Sequence, residues 1–361
     1  MYNSFGNLLR ITTFGESHGK MIGVVIDGFP AGFEVDFKAI QQELDRRRPG
    51  QSPYTTPRNE ADQAECVSGI FRGQTTGAPI TFLIPNQDTK PEDYSEMAVV
   101  FRPSHADYTY QEKYGLRDHR GSGRASARET AGRVAAGALA GQYLEKCHGV
   151  KVMAWVRSIG AYQLPDDFLP SGRAAIDASP VRCPDLGLSE EICRYIEHLK
   201  TIGDSAGGVI ECLAEPMPIG WGEPVYMKLS AALAHGLFTL PAVKGFEIGS
   251  GFQGTLMQGS EHNDLFYKGE DGSIQTRTNH SGGIQGGISN GAPLSLKVAF
   301  KPVSTIAKSQ ETVDQEGNTK ILEGKGRHDP CVLPRAVPLV EAMTRLILAD
   351  YALLNLSRRL T

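Results

Sequence analysis

Two blocks of this chain occur twice in the same order, and any fold has to accommodate both copies. Gly15-Glu16-Ser17-His18-Gly19 returns as Gly203-Asp204-Ser205-Ala206-Gly207. Fifteen residues after each first glycine stand Pro30-Ala31-Gly32 and Pro218-Ile219-Gly220. GIFRGQTTGAPITFL at 69–83 is answered by GIQGGISNGAPLSLK at 283–297, with Gly, Ile, Gly and the Gly-Ala-Pro triplet in register. Ordered self-similarity of this kind reads as two related halves rather than unrelated turns. The offset grows from 188 to 214 residues, so the second half carries an insertion, placed between 252 and 280 around EHNDLFYKGEDGS. The expectation is one domain over 1–361, with halves of about 1–148 and 202–361. A Pro- and Asp-rich connector with one short helix joins them.

Apolar runs after the repeated loops predict strands at 22–27, 80–84, 152–156, 209–213 and 294–300. Residues 36–48 read as a helix capped by Asp36, with Phe37, Ile40 and Leu44 on one face and Pro49-Gly50 as the stop. Residues 126–146 read as the strongest helix. Ser126 and Glu129 fit a capping box, and Ala131, Ala135, Ala136, Ala138 and Gly141 offer a small-residue face for close packing. A long C-terminal helix is predicted over 335–356, with Leu339, Met343, Leu346 and Ile347 on one side.

The formal net charge of −4 argues against a general nucleic-acid binder. The six cysteines are scattered without a C-x-x-C pair, which predicts reduced thiols rather than a disulfide framework or zinc site. No basic-then-apolar leader opens the sequence and no apolar run reaches membrane-spanning length, so a cytoplasmic protein without a membrane partner is expected.

Three clusters could carry chemistry. His18 stands where the second copy has Ala206, so the loop shape is scaffold and the imidazole an addition. FRPSHADYTYQEKYGLRDHRGSGRASARE at 101–129 gathers Arg102, Arg117, Arg120, Arg124 and Arg128, with His105 and His119, at the start of the 126–146 helix. A helix start with several arginine forks is suited to phosphate and carboxylate groups. The third cluster is Arg327, His328 and Asp329, before Pro330, where Asp329 reads equally as a helix cap or as a catalytic carboxylate. Gly121-Ser122-Gly123 follows no apolar strand and lacks the third glycine of a dinucleotide fingerprint, and GKGRHDP lacks the phosphate-loop spacing. The nine histidines show no metal-binding spacing, so no metal site is expected.

FGESHG, RPSHADYTYQEKYGLRDHRGSGRASARETAGRVAAGA and GKGRHDPCV together resemble the signature segments of the chorismate synthase family, as do GDSAGG at 203–208 and SGGIQGGISNG at 281–291. The resemblance spans nearly the whole chain. It implies an α+β fold, a β-α-β sandwich with helices between antiparallel sheets and an internal pseudo-twofold repeat, assembled as a homotetramer. It implies a lyase that converts 5-enolpyruvylshikimate 3-phosphate to chorismate and phosphate by anti 1,4-elimination, in the shikimate pathway to aromatic amino acids. Reduced FMN is required although there is no net redox change. NADPH enters only as a reductant for that flavin, directly or through an external flavin reductase, and the missing nicotinamide fingerprint favours the external route.

Carried over by position, the resemblance makes His18 the acid at the leaving phosphate and His105 the proton donor to reduced flavin. Asp329 becomes the base near the flavin, with Ser17 and Ser126 in proton relay. Substrate anions fall to Arg48, Arg102, Arg128 and Arg327. Flavin contacts fall to Ala125, Ser126, Ala127, Ala242, Gly286, Lys301, Pro302, Val303, Ser304, Thr305 and Arg327. Three positions depart from the commoner family pattern: Ala125 where many members have Ser, Pro241 where Asn is frequent, and Tyr54 where Arg is frequent. A competing class, an RNA-binding module using RRRPG, RGSGRASAR, Tyr108 and Tyr110, is disfavoured by the net acidity.

Overall fold

The computed structural model describes residues 2–56, 60–88, 94, 96–324 and 329–358. Two five-stranded antiparallel sheets form its outer layers. The first contains β1 (Ser4–Phe5), β2 (Arg10–Gly15), β3 (Met21–Asp27), β4 (Glu65–Ser68) and β5 (Ile80–Pro85), in the order β1-β2-β3-β5-β4. The second contains β6 (Lys151–Ile159), β7 (Tyr162–Gln163), β8 (Gly208–Glu215), β9 (Val243–Ile248) and β10 (Leu294–Phe300), in the order β9-β10-β8-β6-β7.

In each sheet the strand after the first repeated block pairs with the strand after the Gly-Ala-Pro block. Ile22, Val24 and Ile26 of β3 face Ile84, Phe82 and Ile80 of β5. Ile210, Cys212 and Ala214 of β8 face Val298, Leu296 and Leu294 of β10. All twelve are buried, and their alternation with more exposed neighbours in β5 and β10 is the period-2 pattern of strands with one face on a core.

The connector between the halves differs from its expected form. Its first strand, β6, is a full member of the second sheet, hydrogen-bonded along β8 from Lys151 to Ile159. It also holds a 16-residue helix, Leu186–Thr201, besides the short one at Arg173–Asp177. The insertion folds as a surface excursion with a small hairpin, Phe266–Lys268 against Ile274–Thr276.

The helices fill the space between the sheets: α1 (Phe37–Arg47), α2 (Thr130–His148), α3 (Leu229–Phe238) and α4 (Leu333–Asn355). Helix α2 packs on β3 and β5, α4 on β6 and β8, and the two helices pack on each other. Because α4 has helices on one side and a sheet on the other, every residue from Leu333 to Ala352 except Arg335 is buried, not only the single face its periodicity suggests. Its buried charges are therefore paired. Asp350 accepts from the backbone N–H groups of Asn7, Leu8 and Leu9, and Glu341 from Arg46 and the Ala154 N–H.

Asp36 caps α1 through the Ala39 N–H as expected, while Phe37 stays exposed. The capping box at 126–129 does not form. Ser126 Oγ instead accepts from the Arg128 N–H in a short 3-10 turn, and the Glu129 carboxylate is drawn away to Arg133, 2.7 Å distant.

The small-residue face of α2 serves the helix–helix contact. A Cβ built on Gly137 would lie 2.5 Å from both Cα and Cβ of Ala342. Helix propensity alone would make Gly137→Ala stabilising by about 1 kcal/mol, whereas overpacking costs about 1–3 kcal/mol. We predict that Gly137→Ala lowers the stability measured by denaturant unfolding; a gain would contradict the close α2–α4 contact.

Candidate active site

The segments leading into α2 and α4 meet loops of both sheets at one place, and a cavity of about 400 Å³ opens there. The first half supplies the turn between β2 and β3 with Ser17 and His18, the end of α1 with Arg47, and the segment leading into α2. The second half supplies Pro241-Ala242 before β9, Lys301 to Thr305 after β10, and the start of α4 with Asp329, Val332 and Arg335. The starts of α2 and α4, the positive ends of their helix dipoles, thus border one space.

The repeated loops act as brackets. The Ser17 N–H bonds to Gly123 O at 3.1 Å and holds the turn at 121–123, which is left-handed at Gly121, Ser122 and Gly123. In the second copy the Ala206 N–H bonds to Pro330 O at 3.0 Å, and Ser205 Oγ donates to Val303 O at 2.8 Å. One loop therefore positions the wall before α2, and the other positions the Asp329 and Val303 segments. Gly121 has φ +57°, and a Cβ there would stand 2.3 Å from His18 Cε1, so the imidazole packs against bare backbone.

Among the described residues four guanidinium groups line the cavity, and each is held by a carboxylate. Arg102 is paired bidentately with Asp107, at 2.7 Å for both bonds, and donates to Ser122 Oγ at 2.9 Å. Arg47 donates to Asp62 Oδ2 at 2.8 Å, and Arg128 donates to the other oxygen of the same carboxylate. Arg335 donates to Asp329 Oδ2 at 2.6 Å. Arg47, Arg102 and Arg128 are almost fully buried. Burial lowers Arg47 to about 10, with Asp62 opposing the shift.

His105 has Nδ1 3.1 Å from Asp107 Oδ1 and Nε2 3.1 Å from Ser122 Oγ. Its pKa lies below the ordinary 6.5, because burial outweighs the raising effect of Asp107, and Arg102 and Lys301 add to the lowering. Burial would raise Asp107, yet the bonds from Arg102 and His105 hold it well below the usual carboxylate range. Lys301 is lowered by burial and by Lys244; its Nζ donates to Ser104 O at 3.0 Å.

Asp329 is not a helix cap. Val332 occupies the cap position of α4, and Asp329 accepts instead from the Thr56 N–H at 2.8 Å and from Arg335. Of the residues singled out from sequence, Ser17, His18, Arg102, His105, Ala125, Ser126, Ala127, Arg128, Ala242, Lys301, Pro302, Val303, Ser304, Thr305 and Asp329 all stand in the cavity wall. Arg48 and Gly286 do not: Arg48 closes the end of α1, and Gly286 lies in the turn between Ile284–Gln285 and Ile288–Ser289. Arg327 lies outside the described residues, as does His328. Among the other arginines of the 101–129 segment, Arg124 grips Thr13, Arg117 holds backbone oxygens at 97–100, and Arg120 forms an exposed pair with Asp118.

The wall residues not singled out from the sequence include Arg47, Thr56 and Arg335. Arg47 was legible in part, since Ile40, Glu43, Leu44 and Arg47 fall at i, i+3, i+4 and i+7, the buried stripe of α1. Tyr54 lies outside the cavity, against Cys193, whose hydrogen bond together with burial raises the phenol to about 12. Among the described residues no group of His, Cys, Asp and Glu is placed to hold a metal ion, and no helix is long and apolar enough to cross a membrane.

Residues 9–353 match a family model described as chorismate synthase. A chorismate synthase of Synechococcus sp. (strain WH7803) is 56% identical over 353 residues, 98% of each chain. That of Nostoc punctiforme is also 56% identical over 353 residues with the same coverage. A solved structure titled "Crystal Structure of Chorismate Synthase" superposes with a TM-score of 0.78 at 30% identity, over 98% of this chain and 94% of that one.

The lowered His105 pKa has a consequence for stability. The folded state resists protonating this ring, so its contribution is complete above pH 6.5 and is lost as pH falls from 6.5 through the lower folded value. We predict that between pH 6.5 and 5 the wild type loses melting temperature faster than His105→Gln, which has no proton to refuse. Parallel curves would show that His105 is not held neutral.

Proposed function

As the chain belongs to the chorismate synthase family, enzymes of the shikimate pathway, we propose that this cavity carries out the elimination of phosphate from 5-enolpyruvylshikimate 3-phosphate with reduced FMN as cofactor. The observation that carries the reading is convergence. Ser17 and His18, His105, Ser126 and Asp329, from separate stretches of the chain, meet in one cavity with four carboxylate-held guanidinium groups.

The residues fit a flavin. Ala125, Ala127, Pro241, Ala242, Pro302 and Val303 give an apolar wall for a flat ring, with Lys301, Ser304 and Ser126 as polar groups at its edge. When bound, reduced FMN supplies an electron-rich ring that stabilises electron deficiency at the substrate as phosphate departs. The departures at Ala125 and Pro241 leave that wall more apolar than the common pattern, so affinity there rests on packing and backbone contacts.

The chain's own groups do the rest. Arg47, Arg102, Arg128 and Arg335 receive the phosphate and carboxylates of the substrate, and their fixed partners keep them oriented before it arrives. His18 donates a proton to the leaving phosphate oxygen. His105, anchored by Asp107 and Ser122, holds a proton at the wall where the cofactor is placed. Asp329 keeps a lone pair on each oxygen besides those given to Thr56 and Arg335, and accepts the proton lost from the ring. Cytoplasmic location, a homotetramer and an external flavin reductase belong to the same reading. Exposed Phe252, Leu256, Leu265, Phe266 and Ile274 on the insertion offer surface for assembly.

The reading is tested anaerobically, with phosphorylated substrate and chemically reduced FMN. Chorismate and phosphate should form in equal amounts without consumption of NADPH; stoichiometric NADPH oxidation would instead mean an ordinary flavin oxidoreductase. His18→Ala and His105→Ala should each reduce turnover by about 10²–10⁴ with little change in substrate binding. Asp329→Asn keeps an acceptor for the Thr56 N–H but cannot take a proton. Its single-turnover rate should fall by a similar factor while the melting temperature moves only slightly. Normal turnover in Asp329→Asn would leave Asp329 a structural anchor only.

A further inference from the structure

Asp62 is a carboxylate that bridges two guanidinium groups of the cavity wall. Its Oδ2 accepts from Arg47 and its Oδ1 from Arg128, and all three side chains are almost completely removed from solvent. Its backbone takes φ +48°, a left-handed conformation that Asp tolerates better than most residues. The segment is fixed through the Asp62 carbonyl, which accepts from Gln41 Nε2 at 3.3 Å.

Each arginine has further fixed acceptors. Arg47 donates to Ala127 O at 2.7 Å, and Arg128 to Asn86 Oδ1 at 2.8 Å and Pro85 O at 3.1 Å. Both forks would therefore stay near the cavity without Asp62, but with one carboxylate fewer beside two buried positive charges. Glu60 is 3.9 Å from Arg128, and its oxygens are engaged by the Gln87 and Asp88 N–H groups. It cannot replace a carboxylate lying between both arginines.

We propose that Asp62 is a positioning residue that limits the anion affinity of the site: bridging Arg47 and Arg128, it orients both forks and cancels one of their charges, so that phosphate can leave. This rests on the reading of the cavity as a phosphate-eliminating site. A pair of desolvated guanidinium groups short of one counter-charge binds a dianion more strongly, and an enzyme that releases phosphate every cycle gains nothing from a product that stays. Burial would raise the Asp62 pKa, but Arg47 and Arg128 hold it below the usual carboxylate range, so the counter-charge persists at any working pH.

The test is calorimetric titration of the full chain with inorganic phosphate, with thermal melts in its presence and absence. Asp62→Asn preserves the shape and removes the charge. It should bind phosphate about tenfold more tightly, equivalent to about 1.4 kcal/mol. It should melt lower without phosphate and recover more stability than the wild type when phosphate is in excess. In steady-state assays KM and kcat should fall together, as product release slows. Adding Arg47→Gln to Asp62→Asn restores the charge balance and should abolish the gain in phosphate affinity.

Equal or weaker phosphate binding by Asp62→Asn, with binding by the wild type, overturns this inference alone and makes Asp62 a structural anchor. Absence of phosphate binding by the wild type overturns both it and the reading on which it rests. If Asp62→Asn is unfolded without phosphate, refolding on its addition supports the inference, and failure to refold overturns it.

Discussion

The close contact of α2 with α4 is the constraint on which the rest depends. Gly137 and Gly141 leave no room for side chains, so Ala342 and the Arg345 stem press against the α2 backbone. With one sheet behind each helix, that contact fixes the distance between the sheets and leaves α4 without a solvent face. The charges on α4 then have to be matched internally. Glu341 meets Arg46 and Arg345, and Arg345 meets Glu43 of α1. Burial would raise Glu43, but Arg345, Arg173 and Arg46 hold it at about 2. Buried ion networks give little net stability because of the desolvation they require. Here they fix the axial position of α1 and α4, and with it the places of Arg47 and Arg335.

The site follows from that placement. The starts of α2 and α4 reach the same end of the sandwich, where loops from both sheets complete the wall. The repeated Gly-x-Ser-x-Gly loops divide the work, one presenting His18 and the other bracing the segments of Val303 and Asp329 through Ser205 and Ala206. The arginines come already oriented. Each is tied to a carboxylate, which lowers the reorganisation needed when an anion binds and keeps buried cations from standing alone.

Local signals made most elements legible, because strand alternation and helix caps act over a few residues. The strands β3, β5, β8 and β10, the helix at α2 and the Asp36 cap were all readable at short range. What was not readable depends on partners distant in sequence. Nothing near Glu341 indicates that α1 and β6 will surround it; the lost capping box is a local exception, because Arg133, one turn on from Glu129, takes its carboxylate. In the site, His18, His105 and Asp329 were visible through their settings and through family resemblance. Arg335 and Thr56 were not: Arg335 turns back to Asp329 from the first turn of α4, and Thr56 meets Asp329 from across the fold. Arg47 and Arg48 are adjacent in sequence, and only the buried stripe of α1 tells which of them faces inward.

The central claim is that one cavity, built jointly by the two halves, holds both the phosphate-bearing substrate and the flavin. A crystal structure of the protein with oxidised FMN and 5-enolpyruvylshikimate 3-phosphate tests it most directly. The account predicts the ring system against Ala125, Ala242 and Val303, and the phosphate within hydrogen-bond reach of His18 and of Arg47 or Arg128. A flavin bound elsewhere, or a phosphate out of reach of both arginines, would contradict it.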